Sequence, residues 1–180
     1  MYQIQISKSI LLKIFENAAI YLVGFAMLLY GIGKPLQFNN TDLLSKTVSS
    51  LSGMEIMWAF YGYSKSFALV LGFLEITGAL LLFFNRTKII GCFILTTILI
   101  NVILQDIFYA VNVGALIAAI IYQLLICFIL VCNRNKLLAA LKIIMAKNIE
   151  IDSYKQKLWI IICSITIFIM LKFIEYLVTH

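Results

Sequence analysis

Charge is scarce in this 180-residue chain, histidine and proline are nearly absent, and no two cysteines stand at a CxxC spacing. Asp, Glu, Lys and Arg make up 12% of the residues while 63% are apolar, against about 25% charged and about 45–50% apolar in soluble domains. That balance places the chain among membrane proteins. The only histidine is His180, the last residue, so a haem held by two histidines is excluded and a histidine-based catalytic centre has nothing to build on. Cys92, Cys127, Cys132 and Cys163 lie in or at the ends of apolar runs. Disulfide frameworks and zinc sites need other spacings and polar surroundings, so these four read as small apolar side chains and no metal is expected. A single proline and almost no low-complexity sequence speak against a disordered or linker-rich chain. The net charge of +6 comes with no nucleic-acid motif and no basic face interleaved with aromatics. The basic residues instead flank apolar runs, where they meet lipid head groups.

What is present in quantity is long hydrophobic sequence. Five runs approach the roughly 20 apolar residues that cross a bilayer as a helix: about 15–32, 67–84, 89–111, 115–132 and 158–177. None alternates as a strand does, so all five are predicted as helices and the fold class is an all-α polytopic membrane protein. Ten of the 14 basic residues fall on one side of these spans: Lys8, Lys13, Arg86, Lys88, Arg134, Lys136, Lys142, Lys147, Lys155 and Lys157. The other side holds Lys34, Lys46, Lys65 and Lys172. This asymmetry predicts a multi-pass protein of a cell membrane, of the bacterial inner-membrane type, with a cytoplasmic N-terminus and His180 outside. The basic-then-apolar start is read as a retained first span, because no small-x-small cleavage site follows it.

Two connections are long. Residues 33–66 carry "MEIMWAFYGYS", rich in aromatics and poor in charge, as in segments that lie at a membrane interface. Residues 134–157 carry "NKLLAALKIIMAK", which predicts a helix along the inner leaflet with Leu137, Leu138, Leu141 and Ile144 toward the bilayer.

The second span, "FALVLGFLEITGALLLFF", has Glu75 at its middle and no other ionisable residue. With antiparallel spans, Glu75, Asn101 and Gln123 fall at one depth. Ala68, Gly72, Glu75 and Ala79 share a helical face of small residues, the kind of face on which membrane helices approach one another. On the fourth span Tyr122 lies beside Gln123, next to a stripe of alanines. A carboxyl at mid-span costs about 2.5–3.5 kcal/mol to insert, and one membrane hydrogen bond returns only about 0.6 kcal/mol. Glu75 is therefore expected to face the bundle interior, with Asn101 as its partner, either as a packing clamp or as a ligand, proton or partner site. Lys34, Lys65, Gln105 and Asp106 gather nearer the outer surface, where Asp106 is expected to pair with Lys34 across a cleft opening outward.

"GIGK" closing the first span, "WAFYGYSKSFALVLGFLEITGALLLFFNRTKIIG" and "NVILQDIFYAVNVGALIAAI" together resemble the DoxX-like membrane proteins. The resemblance covers residues 15–142 and implies a DoxX-like four-helix bundle, with Lys34, Glu75, Arg86 and Asn101 at positions of the family's pattern. Gly114 stands where many members carry lysine, and Gln105 and Asp106 replace a second asparagine or apolar residues. The domain plan expected is a bundle over 1–142, an amphipathic connector over 143–157 and an appended fifth helix over 158–180. Members of this family resemble subunits of thiosulfate:quinone oxidoreductases, components of methylamine utilisation, and eukaryotic chaperones or cargo receptors.

Three functions fit these residues. The first is an accessory protein that is not an enzyme on its own and binds a lipid-like ligand or a membrane or extracytoplasmic partner through the cleft. The second is a subunit that holds quinone for an oxidoreductase, its electrons coming from elsewhere because the chain has no ligands for haem or an iron–sulfur cluster. The third is a small solute or proton carrier, which five spans with no Gly or Pro break leave little room for.

Overall fold

The computed structural model describes residues 8–39, 41–146 and 153–179. Among them the regular structure is entirely helical: α1 (Lys8–Gln37), two short 3₁₀ turns (Thr41–Ser45 and Val48–Ser50), α2 (Gly53–Tyr63), α3 (Lys65–Phe83), α4 (Lys88–Phe108), α5 (Val113–Cys132), α6 (Arg134–Ile144) and α7 (Tyr154–Thr179). Five of these, α1, α3, α4, α5 and α7, are long and apolar enough to cross a membrane. The chain divides into two compact units, Met1–Ala139 and Ala140–His180.

In the first unit α1 packs on α3 and α5, and α4 packs on the same two helices, so the four close a ring. Short connections at residues 84–87 and 109–112 make neighbours antiparallel. Their ends are set by local chemistry. The Ser64 side chain accepts from the Phe67 amide at 3.3 Å to open α3, and the Asn112 side chain accepts from the Ala115 amide at 3.0 Å to open α5. Between α4 and α5 the chain turns through Ala110 at φ 47°, a left-handed conformation costly for a residue with a Cβ. The ring's core is apolar: Val23, Met27, Ala79, Leu82, Leu95, Leu99 and Ile126 are among the side chains sealed inside it.

The small-residue face of the second span is where α1 and α3 meet. A Cβ built on Gly72 lies 2.5 Å from the Gly31 carbonyl oxygen, and one on Gly31 lies 2.7 Å from that of Gly72. No side chain other than hydrogen fits at this crossing. Pro35, inside the last turn of α1, lacks the amide that would ordinarily bond the Gly31 carbonyl.

Helix α2 turns the aromatic segment of residues 33–66 into a short helix packed on α3 and on the first 3₁₀ turn. Its start is a full capping box. The Ser52 hydroxyl accepts from the Glu55 amide at 3.3 Å, while Glu55 Oε2 accepts from the Ser52 amide at 2.9 Å. The Ser52 amide, Lys46 and the Ser52 hydroxyl together hold the Glu55 carboxyl down at about 2, below its ordinary 4.5.

Two boundaries correct the sequence reading. The amphipathic helix expected over 134–157 ends at Ile144, and residues 147–152 of that connector lie outside the described residues. The fifth helix starts at Tyr154 rather than 158, because the Ser153 carbonyl opens it by accepting from the Lys157 amide at 3.1 Å. Lys155 and Lys157 thus belong to α7.

Candidate functional site

Lys34 stands three positions after Gly31 along α1, and Glu75 three positions after Gly72 along α3. The glycine crossing therefore carries Lys34 and Glu75 toward each other one helical turn away. Lys34 Nζ lies 3.1 Å from Glu75 Oε1, with the two side chains 12% and 4% exposed. Glu75 faces the interior as expected, but its partner is Lys34 and not Asn101. Asn101 falls beside the buried face of α4, which runs through Gly91, Cys92, Leu95, Leu99 and Asp106, and its side-chain oxygen accepts from Gln105 Nε2 at 2.5 Å. The expected Asp106–Lys34 pair is absent for the same reason: Lys34 is committed to Glu75.

The ion pair borders a cavity of about 420 Å³. Lys34, Glu75, Asn101, Gln105 and Asp106 all line it, together with Gln37, Thr97 and Asn112. Its apolar wall comes from Leu71, Leu74, Ile98, Val102 and Val111, and α2 adds Met54, Met57, Trp58 and Tyr61. A second cavity of about 130 Å³ shares Lys34, Gln37 and Glu75 and adds Tyr30 and Tyr122, whose ring centroids are 6.3 Å apart. Five of the seven residues singled out in the sequence thus share one cavity, and Tyr122 lines its neighbour. Gln123 lines neither: its amide donates to Thr96 Oγ1 at 3.4 Å, between α5 and α4. Lys65 opens α3 and is likewise missing from both linings.

Two groups of polar contacts were not anticipated. The first is aromatic. Phe38 stacks on Tyr61 at 4.7 Å and meets Trp58 edge-on at 6.2 Å. Gln105 donates to the Tyr61 hydroxyl at 2.5 Å, tying α2 to α4, and Lys34 Nζ sits 5.5 Å from the Phe38 ring centre. The sequence marks these rings as interfacial, but their role as a cavity wall depends on α2 folding back over the bundle.

The second group lies at the opposite end of the ring. Glu16, 4% exposed, accepts from Lys88 Nζ at 2.7 Å and from Asn133 Nδ2 at 2.7 Å through Oε1. Its Oε2 accepts from Lys13 Nζ at 2.8 Å. Lys88 is only 2% exposed. These residues join α1, α4 and the end of α5. The signal is present as an acid inside "KIFENAA", but a first span begun at residue 15 puts that acid at its very edge, where a charge is ordinary.

Among the described residues, no group of three or more His, Cys, Asp or Glu side chains could hold a metal ion. The site offers instead a buried ion pair, amide groups and aromatic faces around a space large enough for a small organic guest.

The chain is similar to "Uncharacterized protein YwoB" of Bacillus subtilis (strain 168), with 29% identity over 116 residues, or 63% of this chain and 73% of that protein. No family model matches the chain. No solved structure matches it.

Proposed function

We propose that this chain is a small integral-membrane accessory protein that takes an amphiphilic guest, a lipid-like ligand or an apolar segment of a partner protein, into the cleft beside Lys34 and Glu75. The observation that carries this reading is the cavity of about 420 Å³, which combines a buried ion pair with an aliphatic and aromatic wall. Pockets for organic ligands have that volume and that mixture of many apolar and few polar groups. Nothing in the lining pairs a nucleophile with a base, so the reading is one of binding rather than catalysis.

The DoxX-like assignment is part of the proposal. It is supported by the place of its second-span motif, whose Gly72 and Glu75 meet α1 and whose Gly78 packs against Leu95 of α4. A cytoplasmic N-terminus is supported by Lys13, Lys88 and Arg134 gathering at the end of the bundle opposite the cavity. Tyr30 and Tyr122 beside Glu75 favour a second reading, a quinone-associated subunit of an oxidoreductase.

The test is purification in a mild detergent, solvent extraction and mass spectrometry of what is retained. An amphiphile or a partner bound at about one per chain, and lost from a Leu74→Arg variant that still inserts, is the expected result. Quinone in the extract would select the second reading. Protein that is folded and monomeric, with neither guest nor partner, would overturn the proposal.

A further inference from the structure

The ionisable residues around the larger cavity do not balance: Lys34 faces two carboxylates, Glu75 and Asp106. Lys34 Nζ is engaged by Glu75 Oε1 at 3.1 Å. Glu75 Oε2 and Asp106 Oδ2 are buried without a hydrogen-bond partner, on residues 3% and 8% exposed. Unpaired buried acceptors are costly, charged ones most of all. Of the nearby amides, Gln105 Nε2 is taken up by Tyr61 and Asn101, and the Asn101 and Asn112 side-chain oxygens are acceptors, so none of these contacts reaches the two carboxylate oxygens. What the lining lacks, among the described residues, is a second donor with positive charge, since Lys34 is the one cation against two carboxylates.

The wall points the same way. Phe38, Trp58 and Tyr61 line the cavity, and aromatic faces attract cations. An anionic guest would have to draw Lys34 away from Glu75. A neutral carbonyl guest would leave the two buried carboxylate oxygens without a donor.

Resting on the binding role proposed above, we infer that the guest carries a protonated amine on an apolar body. Its ammonium is drawn to the free carboxylate oxygens of Asp106 and Glu75, and its body lies against Leu71, Leu74, Ile98 and Val102. The amine is that of a small free molecule or of an aminolipid head group.

The test uses the full-length protein in nanodiscs of uncharged lipid, titrated by calorimetry with 4-phenylbutylamine, 4-phenylbutanol and 4-phenylbutyrate. These probes share one apolar body and differ in the head group. Dihexanoyl phosphatidylethanolamine and dihexanoyl phosphatidylglycerol form a second pair. The expected result is that the amine binds at least about tenfold more tightly than the alcohol, as a charge-assisted hydrogen bond should produce. A preference confined to the ethanolamine lipid identifies the source as a head group and supports the inference equally. Asp106→Asn should bring the amine and alcohol together, while Asp106→Glu keeps them apart. Where Asp106→Asn does not fold, the wild-type series decides alone. Equal binding of amine and alcohol, together with equal binding of the ethanolamine and glycerol lipids, would overturn the inference and leave the cleft's binding role standing. Preference for the carboxylate would overturn it as well, and no binding by any probe, with no guest retained on purification, would remove both readings.

Discussion

The Gly31 carbonyl oxygen lies 2.5 Å from where Gly72 would carry a Cβ. The backbones of α1 and α3 are in contact there, and this contact sets the reach of Lys34 to Glu75. Gly72→Ala should therefore cost stability although alanine is the better helix former, by about 1–3 kcal/mol as an overpacked contact. Thermal unfolding in detergent measures it. An unchanged or raised midpoint would show that the helices do not meet at these glycines.

The ion pair itself makes a sharper prediction. Lys34→Met strands a buried carboxylate, and Glu75→Leu strands a buried ammonium. Each should cost about 3–5 kcal/mol, whereas the double substitution should recover much of the loss. A double-mutant cycle on unfolding midpoints reads the coupling. Additive losses would mean that the two groups are not partners.

At the other end of the bundle, Lys13 and Lys88 hold the same carboxylate from different surroundings. The Lys13 side chain is 54% exposed and that of Lys88 2%. Lys88→Met should cost about 3–5 kcal/mol and Lys13→Met about 0–1 kcal/mol, because an exposed pair is screened by water. Equal effects would contradict the burial of Lys88.

The capping box of α2 predicts a pH dependence. Glu55 titrates at about 2 in the folded protein and at about 4.5 without its partners. A carboxyl whose folded value is depressed adds stability that is full above about pH 4.5 and is lost as the pH falls through about 2. Carbon-13 NMR of the Glu55 carboxyl should give a midpoint near 2, accompanied by loss of amide protection at the start of α2. A midpoint near 4.5 would show that the box is not formed in solution.

How much of this is legible in the sequence depends on where each residue sits in its helix. Mid-span Glu75 is readable as an inward-facing acid because Ala68, Gly72 and Ala79 repeat beside it at helical spacing. Its partner is not, since a first span closed at residue 32 makes Lys34 a loop charge. In the structure α1 continues through Pro35 to Gln37 and carries Lys34 one turn above the glycine crossing. The expectation for Asn101 rests on equal depth and on faces matched by residue type. Depth follows from counting residues, whereas facing depends on helix rotation, and the rotation of α4 buries Asp106 instead. Glu16 escapes the sequence reading for the converse reason, a helix start placed too late. Contacts between residues 72 and 117 positions apart, Glu16 with Lys88 and Glu16 with Asn133, are set by the closed ring and leave no local mark.

Those separations also give the bundle an order of assembly in time. A chain emerges from the ribosome N-terminus first, at about 5–20 residues per second. Glu16 thus enters the bilayer several seconds before Lys88 and longer still before Asn133. Through that interval Lys13, three residues away, is the partner already at hand. The early helices are held provisionally, and the last-made wall of the ring, α5, is what fastens the first. Stalled chains ending before Asn133 should accordingly show Glu16 open to carboxyl-directed labelling, and chains released after it should show Glu16 protected.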